Sequence, residues 1–168
     1  MPLFLDSASV DDARRSAEAR RVAALRPGRV GLKLPSTPDN FVLAARLASE
    51  GLVLGMTAIF GAAQVYLACQ TGVRYVLPYV NRSTRLLGDG SALVRGMRSV
   101  IEACQAPVEI LAASVKTPAE AIATATAGAH SLTLPLALIE ELGRHELSDQ
   151  AITEFAAVAR EVPASLPL

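Results

Sequence analysis

A lysine stands where it could act as a nucleophile. Lys33 lies inside the short apolar run Val30-Gly31-Leu32-Lys33-Leu34-Pro35. Because side chains alternate across a β-strand, Lys33 is on the face opposite Val30, Leu32 and Leu34. If those side chains pack against helices, Lys33 lies inside a barrel, near the C-terminal end of its strand. Because an apolar enclosure disfavours the charged ammonium form, such a lysine could supply the neutral amine that attacks a carbonyl carbon. The alternative is a lysine whose stem merely covers apolar surface.

Other polar side chains are predicted at comparable strand ends, namely Asp6, Thr57, Tyr79 and Ser114. An amine, a carboxylate, a threonine and a phenol at one barrel mouth could move the protons of carbinolamine formation, dehydration and carbon–carbon cleavage. Asp6 could instead serve the start of the first helix, and Thr57 and Tyr79 could be satisfied core polar groups. Strand-end periodicity alone does not name the reaction.

Short apolar runs must position these groups, and they alternate with Ala-rich helical stretches. The predicted strands are PLFLD (2–6), RVGLKLP (29–35), LVLGMTA (52–58), RYVLPYV (74–80), VEILAAS (108–114) and SLTLP (131–135). Gly51, Gly72 and Gly128 lead from helices into strands, as left-handed C-caps do. This alternation predicts repeated βα units around a parallel sheet.

Helix starts and one long connection are also marked. Thr117-Pro118-Ala119-Glu120 predicts a capping box, and Thr37-Pro38 begins a helix in the same way. The segment NRSTRLLGDGS (81–91) is predicted to be a loop that takes part in the site, because long connections are often functional.

Six units predict a truncated barrel. A (β/α)8 barrel needs eight units and more residues than the 168 present. Without a linker or low-complexity tract, residues 1–168 are expected to form a single incomplete (β/α) barrel domain, open or completed by oligomerisation. Parallel edges are rarely left bare, so at least a homodimer is expected. The final helix, around 152–162, is a candidate for packing across subunits.

Composition argues against several classes of partner. The 16 basic and 16 acidic residues cancel, so neither nucleic acid nor an anionic membrane is an expected partner. No apolar stretch approaches the length of a membrane span, and the expected location is cytoplasmic. Cys69 and Cys104 are interpreted as small core side chains.

The ordered motifs LFLDS, VGLKLPST, MTAIFGAAQ, PYVNR, LAASVKTP and SLTLP resemble the signature strands of the small transaldolase subfamily that includes fructose-6-phosphate aldolase. The resemblance covers the first few residues and about 27–160. It implies that Lys33 is the Schiff-base lysine, that Asp6 assists proton transfer, and that Thr57 with Tyr79 holds the catalytic water. It also implies that Arg82 and Ser114 bind the phosphate or polar tail, with weaker support for Asn81 and Lys116.

The chain also departs from that pattern. Between Asp6 and Lys33 there is room for one helix, whereas the family has three helices and two additional strands there. The absent segment includes a Thr-Thr-Asn-Pro motif and a third-strand Gln or Glu that helps position the water. Phe60 stands where related aldolases often carry tyrosine.

The resemblance implies a class I aldolase or transaldolase of carbohydrate metabolism. Lys33 would form an imine with a dihydroxyacetone-type donor, and fructose 6-phosphate or a related sugar phosphate would be the substrate. No metal or organic cofactor is expected, because the imine is the electron sink. The alternatives are a catalytically inactive barrel kept for assembly or ligand binding, and a phosphate-binding barrel with other chemistry.

Overall fold

A computed structural model describes residues 12–161, with side chains from 13 to 159. Its strands are β1 (Gly31–Pro35), β2 (Val53–Ile59), β3 (Tyr75–Pro78), β4 (Glu109–Ala112) and β5 (Ser131–Leu132). Its helices are α1 (Asp12–Ala24), α2 (Pro38–Ser49), α3 (Ala62–Thr71), α4 (Val80–Leu87), α5 (Gly90–Cys104), α6 (Pro118–Thr126), α7 (Leu136–Leu142) and α8 (Glu146–Glu161). The predicted first strand and Asp6 lie outside the described residues.

The sheet has the predicted parallel α/β architecture. Five strands pair in the order β1-β2-β3-β4-β5, each parallel to the next. Within residues 12–161, β1 and β5 form the two edges and do not pair with each other. A single helix, α1, precedes β1 in that range, as expected from the short spacing. The chain is a truncated TIM-type barrel.

The core lies between the sheet and its helices. Alternate strand residues such as Leu32, Leu34, Leu54 and Met56 are at most 1% exposed, and α2 packs on β1 and β2. Each fully buried Leu or Met side chain stabilises the fold by about 1.5–3 kcal/mol relative to leaving it in water. Because of this alternation, the residues between them, including Lys33, occupy the opposite, inner face of the sheet.

Most predicted helix ends are confirmed. Gly51, Gly72 and Gly128 have φ of 85°, 73° and 104°, in the left-handed region that suits glycine. Thr117 Oγ1 accepts from the Glu120 amide at 3.1 Å, but Glu120 Oε2 accepts from the Lys116 amide rather than from that of Thr117. The predicted capping box therefore forms with its return hydrogen bond shifted by one residue.

The predicted long loop at 81–91 is wrong. Residues 80–87 form α4, and α5 begins at Gly90. Val80 and Ser83 bury one side of α4, and Asp89 Oδ1 caps α5 by accepting from the Ala92 amide at 2.9 Å. The glycines and Asp89 therefore mark a tight helix–helix turn, which composition alone does not distinguish from a longer loop.

Two compact units make up the chain, with the boundary between Leu134 and Pro135. The first contains the five strands and α1 to α6. The second contains α7 and α8, and α8 carries the exposed apolar side chains Ile152, Phe155 and Val158. No described helix is long and apolar enough to cross a membrane.

The two cysteines are half-buried neighbours on α3 and α5 rather than separate core residues. Burial, followed by the adjacent Cys104 thiol, raises the pKa of Cys69 from an ordinary value of 9.0 to about 11. A raised folded-state pKa means that this thiol's contribution to stability is present below pH 9 and is lost as the pH rises through about 11.

We therefore expect iodoacetamide to alkylate Cys69 slowly at pH 8, with a rate that still rises about tenfold per pH unit between pH 9 and pH 10. Peptide mass analysis of the folded protein measures this. In Cys104→Ser, the pKa of Cys69 should fall part of the way back, because burial remains. A rate that levels off near pH 9 in the unsubstituted chain would contradict the prediction.

Candidate active site

Lys33 lies on the inner face of β1, where it is half-buried. It pairs in register with Gly55 of β2, and Gly55 pairs with Tyr75 of β3. These residues form one row across the sheet, beside a cavity of about 310 Å³ that Lys33 helps to line. Leu32 and Leu34 on either side of Lys33 are buried on the other face of β1, which agrees with the predicted inward position of the lysine.

A threonine and a phenol meet one step further along the strands. Thr57 is 2% exposed, and its Oγ1 lies 3.5 Å from the hydroxyl oxygen of Tyr79. Thr57 pairs with Pro35, two residues beyond Lys33, so strand spacing and rise place the Cα atoms of Lys33 and Thr57 about 8 Å apart. The lysine and the hydroxyl pair thus occupy neighbouring positions on one face.

A bulge in β2, directly after Thr57, turns Ile59 away from the inner face. Register between β2 and β3 passes from Thr57↔Leu77 to Ile59↔Pro78, leaving Ala58 as an extra residue with φ of 57°. Without that residue, Ile59 would share the inner face with Thr57. With it, Ile59 is fully buried like Met56, while Thr57 keeps its inner position.

Tyr79 is held by its neighbours. Its ring meets Phe60 edge-on at 5.9 Å between centroids, and the guanidinium carbon of Arg82 lies 4.9 Å from its ring centre. Arg82 belongs to the first turn of α4. The backbone N–H of the adjacent Asn81 donates to the backbone carbonyl of Ser114 at 2.9 Å. These contacts bring Tyr79, Arg82 and the Ser114 backbone to the C-terminal end of the sheet.

Gln64 was not singled out from the sequence. Its Oε1 accepts from the Phe60 amide at 2.9 Å and from the Gly61 amide at 3.1 Å. Gln64 therefore fixes the turn that presents Phe60 to Tyr79. A glutamine three residues after Gly61, at the start of a helix, is the spacing of a capping residue and is the signal that could have found it.

The less supported candidates serve local structure. Asn81 Oδ1 accepts from Arg85 at 3.3 Å, and Lys116 is exposed while its amide donates to Glu120. Within the part of the chain that the structure describes, no group of three or more His, Cys, Asp or Glu side chains could hold a metal ion.

Sequence comparison identifies the family to which this chain belongs. Residues 5–165 match the family model described as Transaldolase/Fructose-6-phosphate aldolase. The chain belongs to that family. A probable transaldolase of Thermus thermophilus is 34% identical over 154 residues, covering 92% of this chain and 69% of the relative. Probable transaldolase 1 of Listeria monocytogenes is 33% identical over 156 residues, covering 93% and 72%.

Solved structures share the fold of this transaldolase-family chain at much lower identity. A mandelate oxidase determined with 2-hydroxy-phenylacetamide superposes with a TM-score of 0.57 at 12% identity, covering 74% of this chain. This chain spans 46% of the mandelate oxidase. The likeness therefore shows the parallel βα architecture and carries no functional information.

Gly90 packs the start of α5 closely against α4, and its replacement should be destabilising. A Cβ on Gly90 would overlap the Val80 carbonyl oxygen and lie 2.7 Å from Thr84 Oγ1, which accepts from the Gly90 amide. We expect Gly90→Ala to lower the free energy of unfolding by about 1–3 kcal/mol, which is a fall in Tm of roughly 3–10 °C. Thermal unfolding followed by circular dichroism measures this.

Gly96 provides the matched control. It lies in the same helix, and a Cβ there meets nothing within 4 Å. Gly96→Ala should leave Tm unchanged or raise it, because alanine favours helix over glycine. Equal Tm values for the two variants would contradict the steric argument at Gly90.

Proposed function

We propose that this transaldolase-family chain is a class I aldolase or transaldolase that forms a Schiff base through Lys33 and acts on dihydroxyacetone-type donors and sugar phosphates such as fructose 6-phosphate. The observation that carries the proposal is the placement of Lys33 and the Thr57–Tyr79 pair on one face of adjacent strands. Family membership supports the same chemistry.

The proposed reaction begins with the lysine amine. The neutral Nζ of Lys33 attacks the ketone carbon, and the carbinolamine loses its hydroxyl as water to give the imine. Cleavage of the bond between the α- and β-carbons transfers its electron pair into the protonated imine, which becomes an enamine, while the β-hydroxyl loses its proton and its fragment departs as an aldehyde. The enamine carbon then takes a proton or adds to an acceptor aldehyde, and water hydrolyses the resulting imine to free Lys33. Asp6, outside the described residues, and the Thr57–Tyr79 pair, through a held water, are the proposed proton carriers.

Arg82 and Ser114 are proposed to bind the phosphate or polar tail. Arg82 is exposed on the first turn of α4, and Ser114 has φ of 60° where β4 ends. The hydrogen bond from the backbone N–H of Asn81 to the Ser114 carbonyl joins these two segments. A guanidinium fork next to a hydroxyl is suited to a phosphate group at this position.

Reductive trapping tests the proposal. The chain has only two lysines, Lys33 and the exposed Lys116, so Lys116 measures background modification within the same molecule. Incubation with dihydroxyacetone or fructose 6-phosphate, reduction with borohydride and peptide mass analysis should give a donor-sized adduct on Lys33 and little on Lys116. Equal modification of both lysines, or an unmodified Lys33 peptide, would reject the Schiff-base proposal.

The alternative is a catalytically inactive barrel retained for assembly or ligand binding. It is favoured by the truncated sheet, since this chain covers 69% of the Thermus relative. In that case sugar phosphate would bind without an imine. Binding that is measured by calorimetry and persists in Lys33→Ala, together with an unmodified Lys33 peptide, would select the alternative, or a phosphate-binding barrel with other chemistry.

Self-association in the cytoplasm belongs to the same proposal. Within residues 12–161, β1 and β5 present the two edges of a parallel sheet, and such edges are usually covered. A second copy is proposed to cover them, and α8, with Ile152 and Phe155 exposed, is the proposed contact helix. Light scattering at micromolar concentration should show at least a dimer, and a monomer would count against it.

A further inference from the structure

A hollow on the inner face of the sheet lies on the other side of Lys33 from the hydroxyl pair. Its volume is about 310 Å³, within the size range of small-molecule pockets. Arg29 and Gly31 line it at the start of β1, while Thr57 and Tyr79 do not. The cavity therefore extends from Lys33 toward the N-terminal ends of the strands.

Gly55 lines this cavity without contributing a side chain to it. By register it lies between Lys33 and Tyr75, and a Cβ there would come 2.8 Å from Leu77 Cδ1 and 3.2 Å from Tyr75 Cβ. In a closed barrel this region is filled by layers of packed side chains. Here the absence of a side chain at Gly55 leaves space beside Lys33, and the side chain of Leu77 borders that space.

The walls around this space are mostly apolar. Val30, Leu77 and Leu111 line it together with the ring-bearing Tyr75, and among the described residues none of those that line it is acidic. Aliphatic and aromatic walls favour an apolar group over a polyhydroxylated chain, whose hydroxyls would lose hydrogen bonds to water there. Lys33 supplies the only amine among the described residues of the lining, because the other cation there, Arg29, is a guanidinium.

We propose that this cavity binds the apolar substituent of a small carbonyl compound, an aryl or alkyl aldehyde, whose carbonyl carbon reacts with Lys33. This inference rests on the proposed Schiff-base function and adds a substrate class to it. The Nζ lone pair forms a bond to the carbonyl carbon, and the carbonyl oxygen leaves as water with the two amine hydrogens, giving the imine. No oxidant or reductant takes part until a hydride reagent is added for trapping.

The test compares an apolar aldehyde with a polar one. The chain is incubated separately with benzaldehyde, glycolaldehyde and dihydroxyacetone in the presence of cyanoborohydride, and modification of Lys33 is divided by that of Lys116. The Lys33 to Lys116 ratio should be about tenfold higher for benzaldehyde than for glycolaldehyde, because burial of the phenyl ring favours the cavity.

Two substitutions should change this preference in opposite directions. Gly55→Ala pushes Leu77 into the cavity and should lower the benzaldehyde ratio about tenfold more than the dihydroxyacetone ratio. Leu77→Ala enlarges the cavity and should raise the ratio for 2-naphthaldehyde relative to benzaldehyde. Gly96→Ala, a glycine replacement outside the cavity, should change neither ratio, and circular dichroism shows which variants are folded.

The outcomes separate the two proposals. Trapping of dihydroxyacetone on Lys33 without a preference for benzaldehyde would overturn the cavity inference and leave the proposed aldolase standing. A benzaldehyde preference without any dihydroxyacetone adduct would support the cavity and overturn the proposed donor. Modification of Lys33 no greater than that of Lys116 with every probe would overturn both.

Discussion

Lys33→Arg should abolish aldol cleavage, lowering kcat/KM for fructose 6-phosphate by about a thousand-fold or more. Arginine keeps the positive charge and the long stem at this half-buried position. Its guanidinium stays protonated and cannot form the imine. The loss of kcat/KM in this variant therefore reports the loss of the nucleophilic amine and not a loss of charge or packing. A coupled assay of the released aldehyde measures kcat/KM.

Lys116→Arg is the matched control for this prediction. It makes the same chemical change at the other lysine, which is exposed. Its kcat/KM should stay within about twofold of the unsubstituted value, since substitutions of exposed side chains are usually mild and arginine keeps the positive charge. A Lys33→Arg protein that is folded and retains more than a tenth of the activity would exclude Lys33 as the nucleophile.

The sheet could be predicted because local rules and tertiary packing agree there. The runs at 29–35 and 74–80 contain observed strands, and the run at 52–58 covers all of β2 except its last residue. The burial of Leu32 and Leu34 follows their alternation. The inward position of Lys33 follows from the same alternation. The glycines that follow the helices could also be predicted, because a positive φ at a helix end strongly favours glycine.

Features that depend on contacts between strands could not be predicted. Ala58 adopts φ of 57° in a bulge defined by the register between β2 and β3, and nothing in its residue type signals a left-handed conformation. The cavity beside Gly55 is similar, because a strand glycine indicates a bulge or a close approach but not which space it leaves open. The contact between Cys69 and Cys104 likewise depends on how α3 packs against α5.

The helix at residues 80–87 was missed because its composition is that of a loop. Residues 80–87 include two arginines, an asparagine and two hydroxyl side chains, and glycines follow at 88 and 90. The first helical turn also begins directly after the end of β3. The error has a functional consequence. Arg82 stands in a hydrogen-bonded turn over the Tyr79 ring rather than in a free loop, which gives it a defined direction at the mouth of the site.

Tyr79→Phe should lower kcat about 100-fold with the fold intact, a loss within the range for one acid–base group. The substituted ring can keep its edge contact with Phe60 and its stacking under Arg82, because both involve the ring and not the hydroxyl. Only the oxygen 3.5 Å from Thr57 Oγ1 is removed. Thermal unfolding and steady-state kinetics separate a loss of stability from a loss of turnover.

The step at which the hydroxyl acts can be located with the same variant. If Tyr79 and Thr57 hold a water that moves protons after the imine has formed, borohydride should still trap dihydroxyacetone on Lys33 in Tyr79→Phe while turnover falls. Thr57→Val should behave alike, and the double variant should be little worse than either single one, since groups that act as a unit are non-additive. Additive losses, or trapping that falls in parallel with kcat, would mean that the two hydroxyls do not share one water.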